Sequence, residues 1–150
     1  MADYYQQFSE SILALTKDEQ AWVRGVLTTN DDPETTKTTL KENGIDCQAI
    51  EYPEYWPDFQ WVIDADGLWL YSDEHGDLEQ VAEFVRAFLA RFRPNQCWSL
   101  TWSSTCSKPR IGEFGGGALF VTAKQVRFQN AHQFIDQQRE RFRRKARRSR

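Results

Sequence analysis

Apolar positions recur at helical spacing at the start of the chain, alternate with polar ones in the middle, and return as helical stripes twice further on. Tyr4, Tyr5, Phe8, Ile12 and Leu15 lie about one helical turn apart, which predicts a helix over residues 3–14. Thr16-Lys17-Asp18-Glu19 has the form of a capping box: the Thr16 hydroxyl accepts from the third backbone N–H and Glu19 reaches back. The helix it starts runs to about Leu27 and buries Ala21, Trp22, Val23 and Val26. Residues 28–33 break the pattern. Asp32 as cap and Pro33 at the first helical position open a third helix, which ends at Asn43-Gly44. Thr35, Thr36, Thr38 and Thr39 make that helix polar and therefore peripheral. Residues 45–57 are an acidic, aromatic connector, and Pro53 and Pro57 exclude a central strand there.

Alternation begins at Phe59, Trp61 and Ile63. Asp64-Ala65-Asp66-Gly67 is a hairpin turn, and Leu68-Trp69-Leu70-Tyr71 returns as the second strand. Asp77 with Gln80 caps the next helix, whose stripe is Val81, Phe84, Val85, Phe88, Leu89 and Phe92, stopped by Pro94. Residues 97–103 form a third strand with Trp98, Leu100 and Trp102 on one face. A loop over Thr105–Gly117 follows, then a fourth strand over Ala118–Ala123 that runs on through Val126 and Phe128. A last helix starts near Asn130 with Ala131, Phe134, Ile135 and Gln138 inward.

This order predicts an α+β fold: a four-stranded, mainly antiparallel sheet in ββαββα order, helices on one face, preceded by two or three N-terminal helices. The chain reads as one domain over 1–150, with a helical part over 1–44, the ββαββα core over 58–138 and a basic tail over 139–150. Val81-Ala82-Glu83-Phe84-Val85 and Ala131-His132-Gln133-Phe134-Ile135 share a phrase that fits a degenerate ββα repeat, but also fits any amphipathic helix after a hairpin.

Charge changes this picture. Residues 1–85 carry 19 acids and 4 bases, or −15; residues 86–150 carry 3 acids and 15 bases, or +12. A split of that size points to an interaction surface, or to two halves that neutralise each other in the fold. No apolar run reaches the roughly 18 residues of a membrane helix, and residues 1–5 lack the features of a signal peptide, so a cytoplasmic protein is expected. Cys47, Cys97 and Cys106 form no C-x-x-C pair, so reduced thiols are expected, without a metal site or cofactor.

Candidate chemistry centres on the loop. Lys108 and Arg110 flank Pro109, which limits their freedom, and Glu113 is placed to orient Arg110. Gly115, Gly116 and Gly117 let a backbone approach a ligand closely, so the loop suits a phosphate or carboxylate. It is not a phosphate-binding P-loop, because a strand and not a helix follows the glycines. Alternatively it is a wide glycine-rich hairpin tied by Arg110 and Glu113. Cys106 beside these cations suits a nucleophile only if His75 or His132 reaches it. Asp64, Asp66, Asp73, Glu74 and Asp77 are candidates for facing a basic partner, without the spacing of a calcium loop. Arg141, Arg143, Arg144, Lys145, Arg147 and Arg148, with Arg139 and Arg150, suit nucleic-acid phosphates or an acidic protein.

Residues 106–117, Cys-Ser-Lys-Pro-Arg-Ile-Gly-Glu-Phe-Gly-Gly-Gly, with Trp98-Ser99-Leu100-Thr101-Trp102 before them, resemble a phrase in small proteins of bacteria and their phages or plasmids. The similarity spans about 58–138. That family carries no assigned activity, so it lends no residue a role; it implies a mobile-element protein acting on host machinery or defence. With no catalytic constellation in view, the sequence is best read as a binding module whose charged surfaces engage a protein or nucleic acid. The alternatives are an anion-binding or enzymatic domain using the Cys106–Gly117 loop, or a nucleic-acid-binding protein using the Arg-rich terminus.

Overall fold

Residues Tyr4–Leu13 form a strand, β1, and not the expected helix. Phe8 and Ile12 are four residues apart, an interval that puts two side chains on one face of a helix and equally on one face of a strand. Long-range pairing decides: β1 is bonded along both edges, to residues 67–72 and to residues 102–106. The computed structural model describes residues 1–28 and 32–149; the middle of the expected break at 28–33, and Arg150 of the basic run, lie outside them.

After β1 come helices α1 (Lys17–Leu27) and α2 (Pro33–Glu42), then two single turns of 3₁₀ helix at Cys47–Ala49 and Pro53–Tyr55. Strands β2 (Gln60–Ile63) and β3 (Gly67–Ser72) lead to helix α3 (Leu78–Phe92). Strands β4 (Cys97–Cys106), β5 (Gly115–Thr122) and β6 (Val126–Asn130) lead to helix α4 (Ala131–Arg148). The expected four-stranded ββαββα sheet is thereby corrected: among the described residues six antiparallel strands lie in the order β2-β3-β1-β4-β5-β6, with four α-helices. The single strand expected to run from Ala118 through Phe128 is two strands. Between them the Thr122 hydroxyl accepts from Lys124 N–H (3.3 Å) and Gln125 N–H (3.2 Å), which turns the chain.

The local signals at other ends act as read. Thr16 and Glu19 make both bonds of the capping box on α1, and Asp32 and Asp77 cap α2 and α3. Asp64 Oδ1 accepts from Asp66 N–H (2.8 Å) and Gly67 N–H (3.1 Å) and shapes the β2–β3 turn. Helices α1 and α3 and the connector cover one face of the sheet. There Phe8, Ile12, Leu68, Leu70, Leu100, Leu119 and Val121 meet Phe84 and Phe88, all buried. Trp22 of α1 stacks on Phe84 at 5.7 Å and meets Phe92 edge-on at the same distance. Such aromatic side chains contribute on the order of 1.5–3 kcal/mol each when buried. Fully buried Gln80 ties the connector to α3: its carbonyl accepts from Asp58 N–H (2.7 Å) and its amide donates to Tyr52 O (3.1 Å).

Among the described residues no helix covers the other sheet face, and Ser9, Trp69, Thr101 and Phe120 are exposed in the middle of strands there. The corner between β1 and α1 is held from a distance. Arg93, at the end of α3, meets Glu19 (2.8 Å) and donates to the carbonyls of Leu13 (3.0 Å) and Ala14 (3.2 Å).

Candidate functional site

The loop singled out in the sequence is shorter than its composition predicts. β4 continues to Cys106 and β5 begins at Gly115, so the irregular part is 107–114. Gly115, Gly116 and Gly117 are ladder residues opposite Ser104, Ser103 and Trp102. Their missing side chains serve packing. A Cβ on Gly117 would lie 2.2 Å from Gln129 O and 2.7 Å from the Trp102 ring, and one on Gly116 (φ +142°) 2.5 Å from Trp102 O.

The loop's other candidates divide. Cys106 ends β4 opposite Tyr4 and is buried, and no hydrogen bond joins it to either histidine among the described residues. Lys108 and Arg110 are exposed. Arg110 Nη1 lies 3.5 Å from the Tyr4 hydroxyl at the surface. No ion pair joins it to Glu113 among the described residues; Glu113 N–H instead donates to Arg110 O (3.4 Å). The base of the loop is pinned by Ser107, whose N–H donates to Asp3 O and whose hydroxyl accepts from Asp3 N–H, both at 2.8 Å.

The acidic candidates do not form one surface. Asp64 and Asp66 sit at one end of β3; Asp73, Glu74 and Asp77 sit past its other end, about 20 Å away for a six-residue strand. Each also serves the fold. Asp66 O accepts from Ala14 N–H, Glu74 O from Gln6 N–H, Asp73 O from the Gln7 amide, and the Asp77 carboxylate from Gln80 N–H. The Asp77 carboxyl is raised above its ordinary range by burial, against the pull of the Gln80 and Glu79 N–H groups and with help from Asp58 and Glu51.

The basic candidates lie on α4, a helix of 18 residues with no buried side chain. Its expected inward stripe is not inward: Phe134, Ile135 and Phe142 are 52%, 42% and 74% exposed. They lie together in a shallow strip bordered by Arg139, Arg141 and Lys145. The ion pairs of α4 are internal, Arg139–Asp136 and Arg144–Glu140; among the described residues none joins it to the acidic half of the chain. Among the described residues two pairs cross from one charged half to the other, the local Arg86–Glu83 on α3 and the long-range Arg93–Glu19.

Composition and spacing missed a cleft. At the end of the sheet beside the start of α3, Tyr4 and Gln6 of β1, Trp102 and Ser104 of β4, and Gly115 of β5 line a space of about 490 Å³. His75, Glu113, Phe114 and His132 wall it. The two histidines are the chain's only ones, 57 residues apart, and arrive by separate routes. The loop carrying His75 is laid on β1 by Gln6 N–H to Glu74 O (2.7 Å), the Gln6 amide to Gly76 O (2.5 Å) and the Gln7 amide to Asp73 O (2.9 Å). Gly76 lets it lie there, since a Cβ would fall 2.6 Å from the Phe8 ring. His132 is set by Asn130, which ends β6 and caps α4 in a capping box with Gln133. The His132 Nε2 lies 3.3 Å from where a Gly115 Cβ would be.

Among the described residues no group of three or more His, Cys, Asp or Glu could hold a metal ion, and no helix is long and apolar enough to cross a membrane. No family model, no curated protein and no solved structure matches the chain, so its candidate sites rest on their own geometry.

Proposed function

We propose that the chain is a non-enzymatic binding module that engages a partner protein through α4. The observation behind this reading is the helix itself: 18 residues, none buried, with Phe134, Ile135 and Phe142 aligned among an excess of cations, of which Arg139 and Arg144 pair with carboxylates of the same helix. An apolar strip with a basic border complements a groove that is apolar along its floor and acidic along its rim. Aromatic residues at the centre supply affinity; the arginines supply rate and register. Phosphate-driven binding of nucleic acid uses the same arginines but has no use for the strip, so the two readings separate by mutation.

The test compares the parent with Phe134→Ser/Phe142→Ser and with Arg141→Ala/Arg144→Ala/Lys145→Ala. The probes are a fluorescent acidic amphipathic peptide and a duplex DNA of random sequence, across a salt series. The reading expects peptide binding lost in both variants. Peptide binding indifferent to the phenylalanines, or tight DNA binding that only the cation variant weakens, overturns it.

A further inference from the structure

We infer that the cleft between β1, β4 and β5 binds a small aromatic acid, with a carboxylate or phosphate head held by His75, His132 and Arg110 and a planar body against Trp102 and Phe114. This reading is independent of the proposed role of α4's apolar strip.

Neither imidazole makes a hydrogen bond or an ion pair with the chain among the described residues, so both retain their donors for a ligand. Arg110 stands just outside the lining residues, its Nη1 3.5 Å from the hydroxyl of Tyr4, which is one of them. Glu113 is the one Asp, Glu, Lys or Arg in the lining, and the N–H donors of the two imidazoles, with those of Arg110 at the Tyr4 hydroxyl, outnumber its single carboxylate. That balance favours an anion over a cation. The floor adds a second requirement. Gly115 and Ser104 keep it low, and the Trp102 ring lies over Gly117, where a Cβ would stand 2.7 Å away. Trp102 and Phe114 both line the space and are available to an aromatic ring, and aromatic pairs add about 0.5–1.5 kcal/mol beyond area burial. A space of about 490 Å³ falls within the range of small-molecule sites.

The scaffold is built to hold these groups rather than to fill the space. Three hydrogen bonds fix the His75 loop, a capping box fixes the first turn of α4, and two fix the base of the 107–114 loop. A larger residue at 115 would press on the His132 ring.

The experiment uses the chain's two histidines as reporters, because both lie in the cleft and no others contribute imidazole signals. Imidazole resonances of the full chain are followed by NMR during titration with phenyl phosphate, benzoate, inorganic phosphate and neutral phenol. The expected result is a saturable movement of both imidazoles by phenyl phosphate or benzoate, with phenol and inorganic phosphate each at least tenfold weaker. The better of the two aromatic acids assigns the head group. Arg110→Ala and Gly115→Ala should each weaken binding severalfold, while an unchanged amide spectrum away from the cleft shows that they remain folded. No saturable movement up to about 10 mM, well past a millimolar Kd, overturns the proposal. Movement of one imidazole only, equal response to phenol, or unchanged affinity in both variants also overturns it.

Discussion

Replacing Arg93 by alanine breaks the tie between the end of α3 and the β1–α1 corner. Arg93 and Glu19 are 18% and 5% exposed at their side chains, and they meet through two contacts, Nε to Oε2 at 2.8 Å and Nη2 to Oε1 at 3.2 Å. The same Nη2 holds Leu13 O and Ala14 O. Removing one partner of a buried pair costs about 3–5 kcal/mol, because the other charge stays buried. Partial exposure of Arg93 and the remaining bond from Thr16 N–H to Glu19 place this case near about 3 kcal/mol. For a chain of this size that is a fall in Tm of about 9 °C. Glu19→Gln preserves the capping box and removes the charge, at a cost of about 1–2 kcal/mol. If the two groups act as a pair, the double variant costs little more than Arg93→Ala, leaving a coupling of about 1–2 kcal/mol.

Acid supplies a second check on that pair. Burial works to raise the Glu19 carboxyl, but the Arg93 and Thr16 hydrogen bonds and the Arg93 charge outweigh it, and the group lies below its ordinary 4.5. A lowered carboxyl favours the native state above the unfolded value and loses that contribution as pH falls through the folded one. Urea unfolding of the four proteins at neutral pH and again well below pH 4.5 measures both effects. Additive costs at neutral pH, or a coupling that survives in acid, would refute the assignment.

Other outcomes follow from the same geometry. Ala14 has φ 56°, a left-handed conformation that costs about 1–2 kcal/mol for a non-glycine residue. Ala14→Gly should therefore stabilise by about 0.5–1 kcal/mol in urea unfolding once the flexibility of glycine is subtracted. Asp77→Asn preserves the α3 cap, since asparagine caps as well as aspartate. Because the folded Asp77 carboxyl is raised above 3.8, its charge opposes folding at neutral pH, and Tm should rise at pH 7 with the gain vanishing in acid. Gly117→Ala forces a methyl against Gln129 O and should cost about 3 kcal/mol, whereas Gly112→Ala, with open space around it, should cost about 1 kcal/mol from φ +81°. Chemical denaturation of the two variants side by side checks that ranking.

Elements defined by adjacent residues were readable. The Thr16–Glu19 box, the Asp64–Gly67 turn and the α3 stripe each contain their own cause. β1 does not: Gln6, Gln7, Ser9, Glu10 and Ser11 dilute its alternation, and its register comes from residues 67–72 and 102–106. The glycines over 115–117 read as loop because glycine weakens strands; the reason for them lies across the sheet, in Trp102, Gln129 and Asn130. α4 shows the converse. Its stripe is plain in the sequence, but a stripe does not state whether its partner is in the same chain. The cleft had no local signature, because its two histidines come to line one space only once β1, β4 and β5 are paired.

The place of β1 has a consequence for synthesis. It joins two halves of the sheet, β2-β3 and β4-β5-β6, that share no other strand pairing. Yet it is made before both of them, and its β4 partner, ending at Cys106, follows about a hundred residues later. At about 5–20 residues per second, that leaves roughly 5–20 s with one edge open. An apolar strand waiting that long is an aggregation hazard. The glutamines, serines and Glu10 that hide β1 from pattern reading also make that waiting strand more polar, which works against that hazard.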